Sequence, residues 1–289
     1  MTTTVTAPDT AVTPAAAPGG PRARAVVALA LFEARELLQQ IVVLVFFTVY
    51  TVAVVRQMIS GHLGWHELTG HEGMAGYPAL QDADRETQTS AVLLGVALFL
   101  CANRAALRSR RQDTDRHFGT LAMDPWRRTL GHALSVVPFA LFSGLIVTVR
   151  FGWAALRPGA VGHGSVFELA VSPLTVLLCG VAGVLLARLV PSAFAAPLLA
   201  VTAYVVVLDS LVFADSHWTQ WLSPVVAESG GDPLPSGLIG RPAAWHALYL
   251  TGLIALLLCA ALLRSGGRTA RIKAATALAL AATAAGIAG

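Results

Sequence analysis

Charge is what this chain has least of. Of its 289 residues only 12% are Asp, Glu, Lys or Arg and 55% are hydrophobic, with a mean hydropathy of +0.67. A soluble domain carries about 25% charged residues, so this chain has too little polar surface to cover itself in water, which excludes a soluble globular protein. Cysteine is also scarce. Cys101, Cys179 and Cys259 all sit inside apolar runs, and an odd count without C-x-x-C excludes a disulfide framework or a thiolate metal site. Several sequence signatures of chemistry are missing too. No G-x-x-x-x-G-K-[ST] occurs, so no P-loop cradles ATP phosphates here. There is no G-x-S-x-G elbow, no H-E-x-x-H and no pair of carboxylates within the apolar stretches, which argues against an intramembrane enzyme. Evenly placed acids in those stretches are absent as well, which argues against a proton-coupled antiporter. The pI of 9.3 does not point to nucleic acid, because the arginines flank apolar segments rather than lining a recognition helix or alternating with stacking aromatics.

The one histidine-rich stretch, from His62 through WHELTGHEG, imitates a zinc site without making one. His66 and His71 are five residues apart, so on a helix their imidazoles diverge by about 140° and do not share a metal. His62 and His66 have the four-residue spacing, but no Glu follows His62, and Gly64 lies between them. The stretch reads as a solvated loop, and no metal or cofactor is expected in the chain.

What is present is a series of apolar runs. Crossing about 30 Å of hydrocarbon takes about 20 helical residues, and six stretches qualify: 37–56, 88–107, 132–153, 168–187, 193–214 and 243–263. The expected fold is therefore an all-α, polytopic transmembrane helical bundle spanning 22–264. Residues 265–289 form a basic linker and an alanine-rich apolar segment, a candidate short seventh span. Residues 1–21, rich in Thr, Ala and Pro with the single charge Asp9, read as a disordered tail rather than a secretory signal. With the N-terminus inside, 15 of the 20 basic residues fall on the inner side, including Arg104, Arg108, Arg127, Arg128, Arg264, Arg268, Arg271 and Lys273. The outer loops, with the outer ends of the spans beside them, hold Arg56, Arg85, Arg150, Arg157 and Arg241 with ten of the 16 acids. Excess Lys and Arg mark the cytoplasmic side, so the N-terminus is cytoplasmic and the loop 57–87 is outside. Before the first span, Pro21 to Gln40 puts Glu33, Glu36 and Gln40 on one face and Val27, Leu31 and Leu38 away from it. Two readings fit: an interfacial amphipathic helix, or a long first span with a polar start.

The longest inner connection, Arg108 to His132, is too long for a plain link between bundle helices, which takes about two to eight residues. Its charged run leads into Phe118-Gly119-Thr120-Leu121. Gly119 breaks the helix, and Asp124-Pro125 starts another, since Asp suits a cap and Pro a first turn. Trp126, Arg127 and Arg128 follow and lead into the third span. The plainer reading is a basic loop that only fixes topology.

At Gly119, Thr120, Leu121, Pro125, Arg127 and Arg128 the chain resembles the membrane subunits of type-two ATP-binding-cassette (ABC) exporters. His217 to Pro233 is similar to the outer re-entrant segment of that family, although Ala122 stands where an acid often follows G-T-L. The resemblance implies a coupling contact at Phe118, Gly119, Thr120, Leu121, Asp124, Pro125, Trp126, Arg127 and Arg128. It also implies a cytoplasmic P-loop ATPase subunit holding ATP and Mg, pairing with a second permease half as a homo- or heterodimer, and export across the bacterial cytoplasmic membrane. Asp209, near the outer end of the fifth span, is a candidate for the substrate path or an interfacial acid paired with Arg150 or Arg241. Gly180, Gly183 and Ala187 offer a small-residue face for packing within the chain or between two chains. The competing function is a non-transporting membrane anchor that holds a cytosolic regulator.

Overall fold

The computed structural model describes residues 21–59, 80–111, 123–158, 160, 165–192, 194–212, 221–225 and 242–289, with the backbone alone at 21, 22, 81–86, 89, 109–111, 204 and 206–212. Among these residues ten helices follow in order: α1 (Pro21–Gln39), α2 (Ile41–Ile59), α3 (Leu80–Arg111), α4 (Pro125–Leu134), α5 (Val137–Ala155), α6 (Val166–Leu169), α7 (Val171–Leu189), α8 (Ala195–Val212), α9 (Ala243–Arg264) and α10 (Ala270–Ala288). Among the described residues there is no strand. Six helical stretches are long and apolar enough to cross a bilayer: α2, Ser90–Arg108 of α3, α4 with α5, α6 with α7, α9 and α10. The chain is an all-α, multi-pass membrane protein. Within the stretch at 193–214 lies α8, a further apolar helix of 18 residues.

The bundle is organised around α3. Of its spanning window 67% is buried in protein, against 17% for α2 and for α10. A helix surrounded by other helices is not selected for lipid solubility, which explains why its strictly apolar run is short and why Asn103 is tolerated. Asn103 is buried and donates from Nδ2 to the Gly183 carbonyl 3.1 Å away on α7. The helix also starts earlier than the sequence suggests, at Leu80, so residues 80–87, expected in the outer loop, form its first turns. Thr87 and Gln88 are buried there. Thr87 Oγ1 accepts from Arg150 Nη1 at 2.8 Å. Arg150, expected at the outer end of its span, is wholly buried within α5, where a hydrogen bond makes burial of the guanidinium tolerable.

Small residues set the closest approaches. A Cβ at Gly183 would lie 2.3 Å from the Phe99 carbonyl oxygen, and one at Gly180 would lie 2.4 Å from Val136. Both glycines of the α7 face are thus spent on packing within the chain, against α3 and the α4–α5 turn. That turn, Ser135–Val136, comes just before Pro138, whose ring and missing N–H disfavour an unbroken helix.

The C-terminal segment is a full member of the bundle. The α10 helix takes in Arg271 and Lys273 before the apolar run, which brings it to 19 residues, long enough to span. Gly266, at φ +89°, closes α9 with Gly267 N–H donating to Leu262 O at 2.9 Å, and Thr269 Oγ1 caps α10 by accepting from Ile272 N at 3.3 Å. The two helices then run together so tightly that a Cβ at Gly286 would lie 2.4 Å from the Tyr249 backbone N. At the far end, Trp221–Val225 forms a turn that buries Trp221, Ser223 and Val225. Trp221 Nε1 donates to Gly286 O at 3.1 Å, Tyr249 Oη to Leu222 O at 3.1 Å and Thr175 Oγ1 to Pro224 O at 2.7 Å. This is the described part of the segment compared above with an outer re-entrant stretch.

Candidate functional site

The polar groups that the sequence singles out gather at the α1 end of the bundle, where α1, the end of α3, α4 and the α9–α10 corner meet. The α4 helix begins at Pro125, whose missing N–H is one a first turn does not use. Asp124 occupies the cap position in extended conformation (φ −56°, ψ 143°), and its carbonyl accepts from Arg127 N at 3.0 Å and Arg128 N at 3.3 Å. Its carboxylate does not cap the helix as expected. It pairs instead with Arg127 Nε at 3.2 Å, and the same guanidinium lies over the Trp126 ring, 5.0 Å from its centroid. The acid was expected to satisfy backbone donors, but an i, i+3 arginine outcompetes them.

Three elements hold α4 in place. Thr129, fully buried, shares a hydrogen bond with Ser265 Oγ at 2.8 Å, and the Trp126 Cβ lies 3.1 Å from where a Gly267 side chain would begin. Gly131 sits against Leu29 of α1, 2.8 Å from its Cδ2 at the Cβ position. Beside it, His132 Nδ1 lies 3.7 Å from Glu33 Oε2, too long for a hydrogen bond but close enough for attraction whenever the imidazole is protonated. Arg108 completes the cluster, with Nη2 3.9 Å from Glu33 Oε2 and Nη1 bonded to Glu36.

This cluster shows what α1 is. The chain bends at Gln40, and α1 is not among the helices apolar enough to span, as the interfacial reading requires and the long-first-span reading does not. Its polar face turns inward: Glu33 is 8% exposed, while Val27, Leu31 and Leu38 are 53%, 62% and 45% exposed. A membrane-surface helix on a bundle has this polarity when its apolar side meets lipid and its acids meet protein cations. The sequence displayed the two acids and the spacing, but their partners Arg108 and His132 lie more than 70 residues away in the chain. Burial raises the Glu33 carboxyl, but His132 and Arg108 outweigh it and hold the group below its ordinary 4.5. The stabilisation from a depressed carboxyl is present above 4.5 and lost as pH falls through the lower folded value. Thermal unfolding in mild detergent is therefore expected to show an acid-side loss below pH 4.5 that Glu33→Gln lacks.

Phe118, Gly119, Thr120 and Leu121 lie outside the described residues, as do His62, His66 and His71. Asp209 falls in α8, with its side chain outside the described residues. Among the described residues no group of three or more His, Cys, Asp or Glu is placed to hold a metal ion. An apolar groove formed by Thr51, Val52, Val55, Arg56 and Ile59 runs along α2. Arg104, counted above among the inner basic residues, is exposed within α3. Comparison of the chain with protein-family models, with curated proteins and with solved structures finds no match.

Proposed function

We propose that this chain is the membrane subunit of an ABC transporter of the bacterial cytoplasmic membrane. In this reading it exports a small molecule, lipid or peptide with energy from ATP hydrolysed by a separate subunit. The arginine distribution supports an inside N-terminus, which makes the α1 end cytoplasmic. The observation that carries the reading is the seating of α4. It begins just after the segment containing Gly119-Thr120-Leu121 and is fastened to α1 through Leu29 and Glu33, and to the α9–α10 corner through Ser265 and Gly267. Glu33 in turn reaches α3 through Arg108. A load applied to Phe118 to Arg128 by a closing ATPase is passed to helices that cross the whole bilayer. Coupling of two distant sites requires such an element with two arrangements, biased by nucleotide in the partner. ATP and Mg belong to that partner, and a second permease half completes the complex.

The test is extraction of the tagged chain from its native membrane in mild detergent, with mass spectrometry of what accompanies it. A P-loop ATPase is expected with the wild type and absent with Gly119→Pro/Arg127→Glu. If a folded wild type brings no ATPase, the permease reading fails and the anchor reading replaces it.

A further inference from the structure

The α9–α10 corner carries Arg264, Arg268, Arg271 and Lys273 within ten residues, and all four side chains are exposed. None has an acidic partner among the described residues. No Asp or Glu occurs anywhere after Asp232, so the corner and both its helices are free of compensating charge. On the neighbouring α4, the acid at the cap position, Asp124, is occupied by Arg127. The corner is also a fixed support: Gly266 closes the turn, Gly267 is buried against Trp126, Ser265 is bonded to Thr129 and Thr269 caps α10. It stands at the ends of two spanning helices, so its cations lie at headgroup depth, next to α10, whose Leu278 and Leu280, on opposite sides of the helix, are 72% and 53% exposed. Topology accounts for the sign of these charges, but four cations with no acidic partner among the described residues, on one rigid turn at a bilayer surface, also form a receptor for phosphate.

We propose that the α9–α10 corner binds the headgroups of anionic phospholipids, with Arg264, Arg268, Arg271 and Lys273 on the phosphates and α10 along the acyl chains. Basic clusters next to spanning helices attract anionic lipid, each cation near the surface adding to the attraction. The site requires only that α9 and α10 cross a bilayer, and holds whether or not the chain is a permease. Bound lipid then steadies the surface on which α4 rests.

The test is native mass spectrometry of the purified full chain in detergent, titrated with phosphatidylglycerol or phosphatidylcholine. Wild type is expected to retain phosphatidylglycerol preferentially. Arg264→Gln/Arg268→Gln/Arg271→Gln/Lys273→Gln is expected to lose that affinity about tenfold or more, with phosphatidylcholine unchanged. Arg264→Lys/Arg268→Lys/Arg271→Lys keeps the charge and the binding, and Arg56→Gln at the opposite end leaves both intact. If the fourfold variant does not fold, Arg268→Gln/Lys273→Gln is measured in its place, with a loss in the same direction expected. Equal retention of the two lipids by wild type overturns the proposal, as does undiminished phosphatidylglycerol binding by a folded glutamine variant. Loss of a co-purifying protein from a variant that still binds the lipid assigns the corner to a protein partner instead.

Discussion

Gly183→Val is expected to destabilise the bundle by about 3 kcal/mol, because the added atoms meet backbone rather than a side chain that can rotate away. The Cβ would stand 2.3 Å from the Phe99 carbonyl oxygen and 3.0 Å from its carbon, so α3 and α7 must move apart. These two helices form the most extensive contact among the described residues, and the shift also stretches the 3.1 Å bond from Asn103 to the Gly183 carbonyl. A buried amide left without its acceptor adds to the loss, since neither lipid nor water replaces it at the centre of the bundle. Gly152→Ala is the matched control. Nothing lies within 4 Å of its Cβ position, and alanine favours a helix over glycine by about 1 kcal/mol, so that variant is expected to be neutral or slightly stabilised. Thermal unfolding of both in one detergent separates steric overlap from any general sensitivity to glycine replacement. Equal midpoints for the two variants would refute the close α3–α7 approach.

Arg127→Glu is expected to abolish recovery of the ATPase while leaving the chain folded. The reasoning starts from position. Arg127 is the third residue of α4, where an acid suits the positive end of the helix and a Glu reaches back to cap it, so the substitution does not weaken α4. What it loses is the 3.2 Å pair with Asp124, whose side chain is 55% exposed, and the cation over Trp126. Exposed pairs of this kind contribute about 0–1 kcal/mol, too little to unfold a bundle. What it changes strongly is the charge presented by the start of α4, from two cations beside one acid to one cation beside two acids. The readout is the amount of ATPase recovered per folded chain, with gel filtration reporting the fold. Normal recovery from a folded variant would remove Arg127 from the contact.

The sequence makes the apolar spans legible because lipid demands long hydrocarbon runs, and α2, α5, α7 and α9 lie close to where those runs are. It is least informative where protein replaces lipid as the surroundings. The α3 helix carries Gln88 and Asn103 because its neighbours are helices, and Arg150 is admitted to the interior by Thr87. The α10 helix is built largely of alanine, whose apolar signal is weak, yet small side chains allow its tight contact with α9. At the α1 end, Asp124, Pro125 and the acids of α1 are visible from local spacing. The junction of Glu33 with Arg108 and His132 is not, because it depends on how three distant helices are brought together. No local pattern distinguishes an acid facing water from one facing a buried cation.

The claim that matters most is that the first turn of α4 faces an ATPase, and a photo-reactive residue reports this directly in the native membrane. Pro125 is exposed and starts the helix, where other residues are readily accepted, so a benzoylphenylalanine there leaves α4 intact. Leu222, 45% exposed in the turn at the opposite end, serves as the control position. Illumination is expected to join position 125 to a P-loop ATPase and position 222 to none. An adduct from 222, or no ATPase adduct from 125 in membranes that contain the ATPase, would contradict the account.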